Sequence, residues 1–391
     1  MSTALAFNDD QTLVLDSAQE FCRAKSPMAA VRALLDSDTG YNDAVWQEMV
    51  ALGWPALAIP EAFGGAGLGI GTTVPLAEAM GRALLATPFF SVTLAAQALL
   101  RAGTLEQQER WLPELAAGRI ATLALLDAGD WGAPSTACTA TRDGDEIRLS
   151  GRKHFVADAG TADACLVWCT LHDEGSGASG STSGSTSNDA LVWVDLSALA
   201  ADDITPHSVI DQTKRAASID FDGLIVPADQ LLDQAKTTAA LRDLRLIGAM
   251  LAAAEATGST AACLDVVVDY LKTRKQFGQL IGAYQALKHP TVDILIGMNA
   301  ARSLIYHAAT VVADGPLDAD AEIACRMAKA QACEALAFAG DRAVQFHGGM
   351  GFTYECDAQL FIRRAQWMGQ WFGDPGHHRR RLAEQLLPVA P

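Results

Sequence analysis

Leu244-Arg-Leu-Ile-Gly-Ala-Met-Leu-Ala-Ala-Ala-Glu-Ala-Thr-Gly258 opens a helix that is apolar on nearly every face. It continues through Leu264-Asp-Val-Val-Val-Asp-Tyr-Leu271 to Lys272-Thr-Arg-Lys-Gln-Phe-Gly278, with Ile281 and Gln285 just beyond. A helix of this kind belongs in the middle of a bundle, not on a surface. A lone carboxylate inside it, Glu255, is costly unless it is paired or used. The far end gathers an arginine, a phenylalanine and a glycine turn, groups suited to a phosphate, a flat ring and a close backbone approach. The same residues also make an ordinary basic last turn with a glycine stop.

Working outward, 391 residues suffice for two or three domains with a large core. Half of the residues are hydrophobic, yet the longest charge-free run, Ala83 to Leu100, falls short of the ~20 residues of a membrane span and carries Thr87, Pro88, Ser91, Thr93 and Gln97. A formal net charge of -17 argues against nucleic acid and anionic membrane as partners. The first ten residues lack the basic region of a secretory signal. Cys165 and Cys169 sit in a strand-like run near His172. Buried free thiols of a cytoplasmic protein are the favoured reading over a metal site.

The pattern divides the chain into a helical segment 1–118, a β segment 119–232 and a helical segment 233–391. Helical spacing covers Asp10 to Cys22, Asp43 to Leu52, Thr72 to Leu85, Ser91 to Arg101 and Leu105 to Ala117. Glycines 64, 65 and 67 follow no apolar strand and read as a connecting loop, not a phosphate cradle. Short β-rich runs then alternate with Gly, Asp and Pro, and Asp143-Gly-Asp145 is a hairpin turn. Gly175 to Asn188 reads as a low-complexity surface loop. The expected architecture is α+β and multidomain: an α-helical N-terminal domain, an antiparallel, barrel-like β middle domain and a C-terminal four-helix bundle.

A second stretch joins the first: Gln345-Phe-His-Gly-Gly-Met-Gly-Phe-Thr353, followed by Arg363-Arg-Ala365. Arg274-Lys-Gln-Phe-Gly278 with Gln285, Gln345-x-x-Gly-Gly-x-Gly351, Arg363-x-Ala365 and Phe221-Asp-Gly-Leu-Ile-Val-Pro227 resemble the acyl-CoA dehydrogenase flavoproteins, over roughly residues 10 to 385. That resemblance implies FAD held between the β domain and the C-terminal helices, in a homo- or hetero-oligomer, a dimer or tetramer. It implies Arg274 on the FAD pyrophosphate, Phe277 packed on the cofactor, and Gln285, Gln345, Gly348 and Gly349 completing the adenine side across a subunit interface. The implied reaction converts an acyl-CoA substrate to the trans-2-enoyl-CoA and passes electrons to an electron-transfer flavoprotein.

The family's base does not carry over. Its usual Glu position is Phe372 here, and the alternative position on the long helix is Gly248. Glu255 follows Gly248 at i+7, on the same face and ~10 Å along; it ranks first as catalytic base, with Asp374 second. Glu255 reads about equally well as a structural carboxylate, and Asp374 more often as a helix cap. In the β domain, the family's hydroxyl beside the flavin is replaced by Ala157. Two further readings follow: a non-catalytic subunit completing a partner's FAD site, and a flavin-binding scaffold.

Overall fold

The long apolar helix is α7, Gln234–Thr273, and the fold is assembled around it. A computed structural model describes residues 8–128, 131, 135–173 and 188–387. Among the described residues six helices precede α7: α1 (Asp9–Lys25), α2 (Met28–Leu34), α3 (Asp43–Ala51), α4 (Thr73–Ala83), α5 (Phe89–Ala102) and α6 (Leu105–Ala116). Four follow: α8 (Gln285–Val311), α9 (Ala319–His347), α10 (Ala358–Gln370) and α11 (Pro375–Leu386). By length and composition α7 could cross a membrane, but 72% of its most apolar window is buried within the protein, as a bundle's central helix requires.

Small residues let α4 and α7 cross at near contact. A Cβ on Gly81 would stand 2.0 Å from the Glu255 carbonyl oxygen, and one on Gly258 1.9 Å from that of Glu78. Ser259 Oγ seals the crossing by donating to Gly81 O at 2.8 Å. The backbone of Glu255 is thereby fixed by a glycine-mediated contact, not by a side-chain interlock.

Between α6 and α7 lie β1 (Ala121–Ala124), β2 (Thr139–Asp143), β3 (Glu146–Ser150), β4 (Arg152–Ala157), β5 (Ala164–Asp173), β6 (Asp189–Asp195), β7 (Ile204–Pro206), β8 (Ala216–Asp220) and β9 (Ile225–Pro227). They form a six-stranded sheet, in which β6 flanks β5 and β9 flanks β3, and a three-stranded sheet in the order β4-β8-β7. The three-part helical and β architecture expected above is what forms, with one correction inside the middle region. Its pairing is not antiparallel throughout, because β1 and β2 both run parallel to β5, against residues 164–167 and 170–173. β5 is longer than either neighbour, so one of its edges accepts two short strands in succession. The turn at Asp143-Gly-Asp145 closes the β2–β3 hairpin, with Gly144 at φ +57°.

Strand alternation puts Cys165, Val167 and Cys169 of β5 into the β core, while Leu166 and Trp168 face the helical core. All eight cysteines are buried free thiols. Among the described residues no cluster of His, Cys, Asp and Glu could hold a metal ion. Residues 174–187, which carry nearly all of the Ser/Gly-rich stretch, lie outside the described residues. The β and helical parts are clamped by Trp111 of α6 stacked on Trp193 of β6 at 4.5 Å, and by Asp233 N–H donating to Ala102 O at 2.8 Å. Within the β region a buried strut holds the strands: Lys153 Nζ donates to Asp127 Oδ1 at 2.6 Å and to Thr136 Oγ1 at 2.7 Å.

Candidate active site

At the end of α7 the Arg274 N–H donates to Tyr270 O at 2.9 Å, and the chain leaves the helix into a two-stranded ribbon, β10 (Lys275–Gln276) and β11 (Gln279–Leu280). Its two-residue turn places Phe277 at φ +50° and Gly278 at φ +81°, the signature of a primed hairpin turn. A left-handed phenylalanine is strained. Here the strain carries the ring out to 91% exposure, edge-on to Tyr284 at 6.4 Å. Gln285, the first residue of α8, is exposed beside it.

The second motif ends α9. His347 stacks on Tyr270 at 4.0 Å, so the Arg274 turn and the glycine stop share one end of the bundle. Gly348 has φ +62°, and a Cβ on Gly348 or Gly349 would meet nothing within 4 Å. Gln345, Gly348 and Gly349 are exposed. The structure thus groups the sequence-predicted nucleotide residues at one exposed bundle end, where Met350, Phe352 and Tyr354 are exposed as well.

Two cavities flank an aromatic wall between the β region and the bundle. One, of about 340 Å³, is lined by Leu126, Trp131, Phe155, Val209, Trp367 and Trp371, with Gln366 and Gln370 at its edge. Flat apolar walls with amides at the rim fit a planar heteroaromatic ring such as a flavin. The other, of about 450 Å³, is bounded by Trp131, Trp168 and Phe372 and carries Arg242, Arg245, Arg326, His377, His378 and Arg381. Asp189, Glu322 and Glu384 share the lining, with Arg326 paired to Glu322 and Arg381 to Glu384, so the cavity offers arginine donors of mixed surroundings to an ester bearing phosphates. Trp131 belongs to both cavities and packs on Phe372 at 4.5 Å; Phe372 touches Trp371, which stacks on Phe90 of α5 at 4.2 Å.

The two candidate bases have defined partners. Asp374 is the N-cap of α11, its Oδ1 accepting from His377 N–H at 2.7 Å. Glu255 is 3% exposed; its Oε1 accepts from Lys214 Nζ at 2.7 Å and from Arg364, which also binds Asp211 and Thr213. Burial alone would push the Asp211 carboxyl up, but Arg364 and the Thr213 hydrogen bonds outweigh it and hold it below the usual range. Burial pushes the Asp158 carboxyl up, against a hydrogen bond from Ser91 Oγ at 2.6 Å. The Phe372 carbonyl is held by His378 Nε2 at 2.9 Å, so that nitrogen carries the proton. Burial, with the charges of Lys329 and Arg326, lowers His378 to about 3.

Sequence reasoning missed Lys214, Asp211 and Asp158, which come from β-region loops with no motif of their own. Arg364 was in view only as half of an arginine pair. The pairing signal was Glu255 itself, since a buried carboxylate calls for a buried cation.

Residues 8–119 match the N-terminal domain of acyl-CoA dehydrogenases and residues 244–387 their C-terminal domain. The acyl-CoA dehydrogenase IpdE2 of Mycobacterium tuberculosis is 30% identical, over 92% of this chain and 91% of that protein. This chain belongs to the acyl-CoA dehydrogenase family. IpdE2 of Mycolicibacterium smegmatis is 29% identical, over 97% of this chain and all of that one. The steroid acyl-CoA dehydrogenase Tcur3481-Tcur3483, solved as a variant, superposes with a TM-score of 0.81 at 27% identity, over 97% of this chain and 98% of that one.

Proposed function

We propose that this chain serves the FAD-dependent α,β-dehydrogenation of an acyl-CoA thioester to the trans-2-enoyl-CoA, with electrons passed to an electron-transfer flavoprotein. The observation that carries the proposal is the Tyr270–His347 stack, which brings Arg274, Phe277, Gln345, Gly348 and Gly349 to one bundle end. There the guanidinium supplies charge for a pyrophosphate, and the glycine backbone admits close approach. The exposure of Phe277, Phe352 and Tyr354 supports use of this end across a subunit interface, in a dimer or tetramer.

Bound in the apolar cleft, FAD would accept the hydride that leaves the β-carbon. The arginines of the larger cavity, which shares its lining with Asp189, Glu322 and Glu384, pair with the phosphates of the CoA ester, and Trp131 with Phe372 excludes water from the reacting carbons. Glu255, kept in line with Gly248 by α7, is the in-chain group proposed to take the α-proton, while Lys214 and Arg364 donate to its Oε1 and fix its orientation.

A second reading has its own observation. Both family base positions lack a carboxylate, and the ring of Phe372 fills the space before Gly248. A partner chain would then supply the base, and this chain would complete the flavin site. Anaerobic flavin reduction by a panel of CoA esters tests the reaction itself. In that assay a fall of about 10²-fold or more in Glu255→Gln supports the in-chain base, whereas unchanged reduction assigns the base to a partner.

A further inference from the structure

On α5, Phe90, Thr93, Leu94, Gln97 and Arg101 recur every three or four residues and form a single stripe. Its ends fix its direction. Phe90 lies 4.2 Å from Trp371 and 6.0 Å from Phe372, while Arg101 Nη1 holds Asp243 Oδ2 of α7 at 2.7 Å. The stripe therefore faces α7 over the turns between Asp243 and Gly248, behind the Phe372 ring that walls the larger cavity. Gln97 sits between these ends, ~10 Å along the helix from Phe90.

Gln97 is 0% exposed, yet among the described residues neither its amide nitrogen nor its amide oxygen has a hydrogen-bond partner. Thr93 Oγ1, one turn earlier and also buried, has none either. Buried polar groups are nearly always paired, and each one left unpaired costs about 1–3 kcal/mol. Leucine would fill the Gln97 site at no such cost. An unpaired amide and an unpaired hydroxyl on one stripe, past the wall of the ester cavity, have the form of a recognition site.

We propose that Thr93 and Gln97 read an oxygen function, a hydroxyl or a ketone, carried on the acyl group beyond its reacting carbons. This rests on the acyl-CoA reading above and narrows it to oxygenated acyl chains. A hydroxyl donates to Gln97 Oε1 and accepts from Gln97 Nε2 or Thr93 Oγ1; a ketone accepts from the same two donors. A plain hydrocarbon leaves all of these groups unpaired, which is how a polar site rejects an analogue lacking the oxygen. Phe372 stands between the cavity and the stripe, so an acyl chain displaces that ring as it binds.

The test is calorimetric binding to the full chain of hexanoyl-, octanoyl-, decanoyl- and dodecanoyl-CoA, each against its ω-hydroxy and (ω−1)-oxo forms. At least one oxygenated ester binds about 10-fold or more tighter than its parent, the equivalent of one net hydrogen bond. Gln97→Leu abolishes that preference, leaves the parent's affinity in place and raises the melting temperature. Thr93→Val, nearly isosteric, provides the same readout if Gln97→Leu does not fold. Equal binding of plain and oxygenated esters, or a preference that survives both substitutions, overturns the proposal and assigns Gln97 to buried water. Failure of every ester to bind overturns the acyl-CoA reading and this proposal with it.

Discussion

The ring of Phe372 stands in front of Gly248 so closely that a Cβ at 248 would lie 2.5 Å from its Cε1. These are the two positions at which the family resemblance puts the base, and here they occupy one another. Gly248→Ala therefore overpacks the wall and lowers stability by about 1–3 kcal/mol. Phe372→Ala alone destabilises by opening a cavity. In the double variant the methyl added at position 248 enters that space, so the two costs do not add, and the coupling is about 1 kcal/mol or more. Urea denaturation of the four proteins measures it, and additive midpoints would show that the ring yields freely.

The exposed nucleotide end predicts a different kind of variant. Arg274 and Phe277 touch little of their own chain, so Arg274→Ala and Phe277→Ala leave unfolding within about 0.5 kcal/mol of the parent. Both nevertheless lower the bound flavin per chain, read from the visible absorbance of the purified assembly. Phe277→Gly relaxes the left-handed turn as well, and raises stability slightly while losing the same flavin.

The helices and most strands were legible because burial imposes their period directly: α1, α3, α4, α5 and α6 lie within a few residues of where apolar spacing puts them, while α7 begins well before Leu244, at Gln234. What escaped was short or set by distant partners. α2 spans seven residues with one buried side chain, Val31, too little to leave a period. β2 and β7 carry mixed or exposed patterns and gain their pairing from β5 and β8. The parallel edge of β5 is a matter of topology that no local pattern encodes. At the site, the nucleotide motifs were readable from residue types in sequence. The charge network around Glu255 was not, because Lys214 reaches it from a β-region loop and Arg364 from α10, with Asp211 of the same loop binding Arg364.

That network predicts a steep cost for breaking it. Arg364 is fully buried, with Asp211 and Glu255 as its counter-charges. Arg364→Met leaves two buried carboxylates with Lys214 alone and lowers stability by about 3–5 kcal/mol. Thermal denaturation with and without Glu255→Gln separates the effects, because neutralising Glu255 relieves part of the Arg364→Met loss. No relief would mean that Asp211 carries the pairing by itself.

His378 gives the fold a pH dependence whose sign is set by its depressed pKa. Burial keeps the imidazole neutral and lowers it to about 3, against the ordinary ~6.5 of an unfolded chain. The unfolded state therefore binds the proton first. This contribution to stability is complete above about pH 6.5 and is lost progressively as the pH falls toward 3. The added proton goes to Nδ1, which is buried without a partner among the described residues, while Nε2–H keeps its bond to the Phe372 carbonyl, so the acid cost is that of burying the charge. His378→Gln, whose amide can donate to the same carbonyl, flattens the melting temperature between pH 7 and 5. A variant that keeps the wild-type slope would place the titrating group elsewhere.

The last prediction concerns the helix crossing that sets Glu255. Gly81 and Gly297 are both helical glycines with different surroundings, which makes them a matched pair. A Cβ on Gly81 would stand 2.0 Å from the Glu255 carbonyl oxygen, a backbone atom that cannot step aside. A Cβ on Gly297 meets Ala335 alone, its Cβ at 3.4 Å. Gly297→Ala gains up to about 1 kcal/mol from helix propensity and leaves ester-driven flavin reduction unchanged. Gly81→Ala forces α4 from α7, costs about 3 kcal/mol or more, and shifts Glu255 relative to Lys214 and Arg364. Reduction by the best CoA ester then falls further than the folded fraction of Gly81→Ala accounts for. If activity per folded molecule is unchanged, the position of Glu255 does not govern the chemistry, and the base comes from another chain.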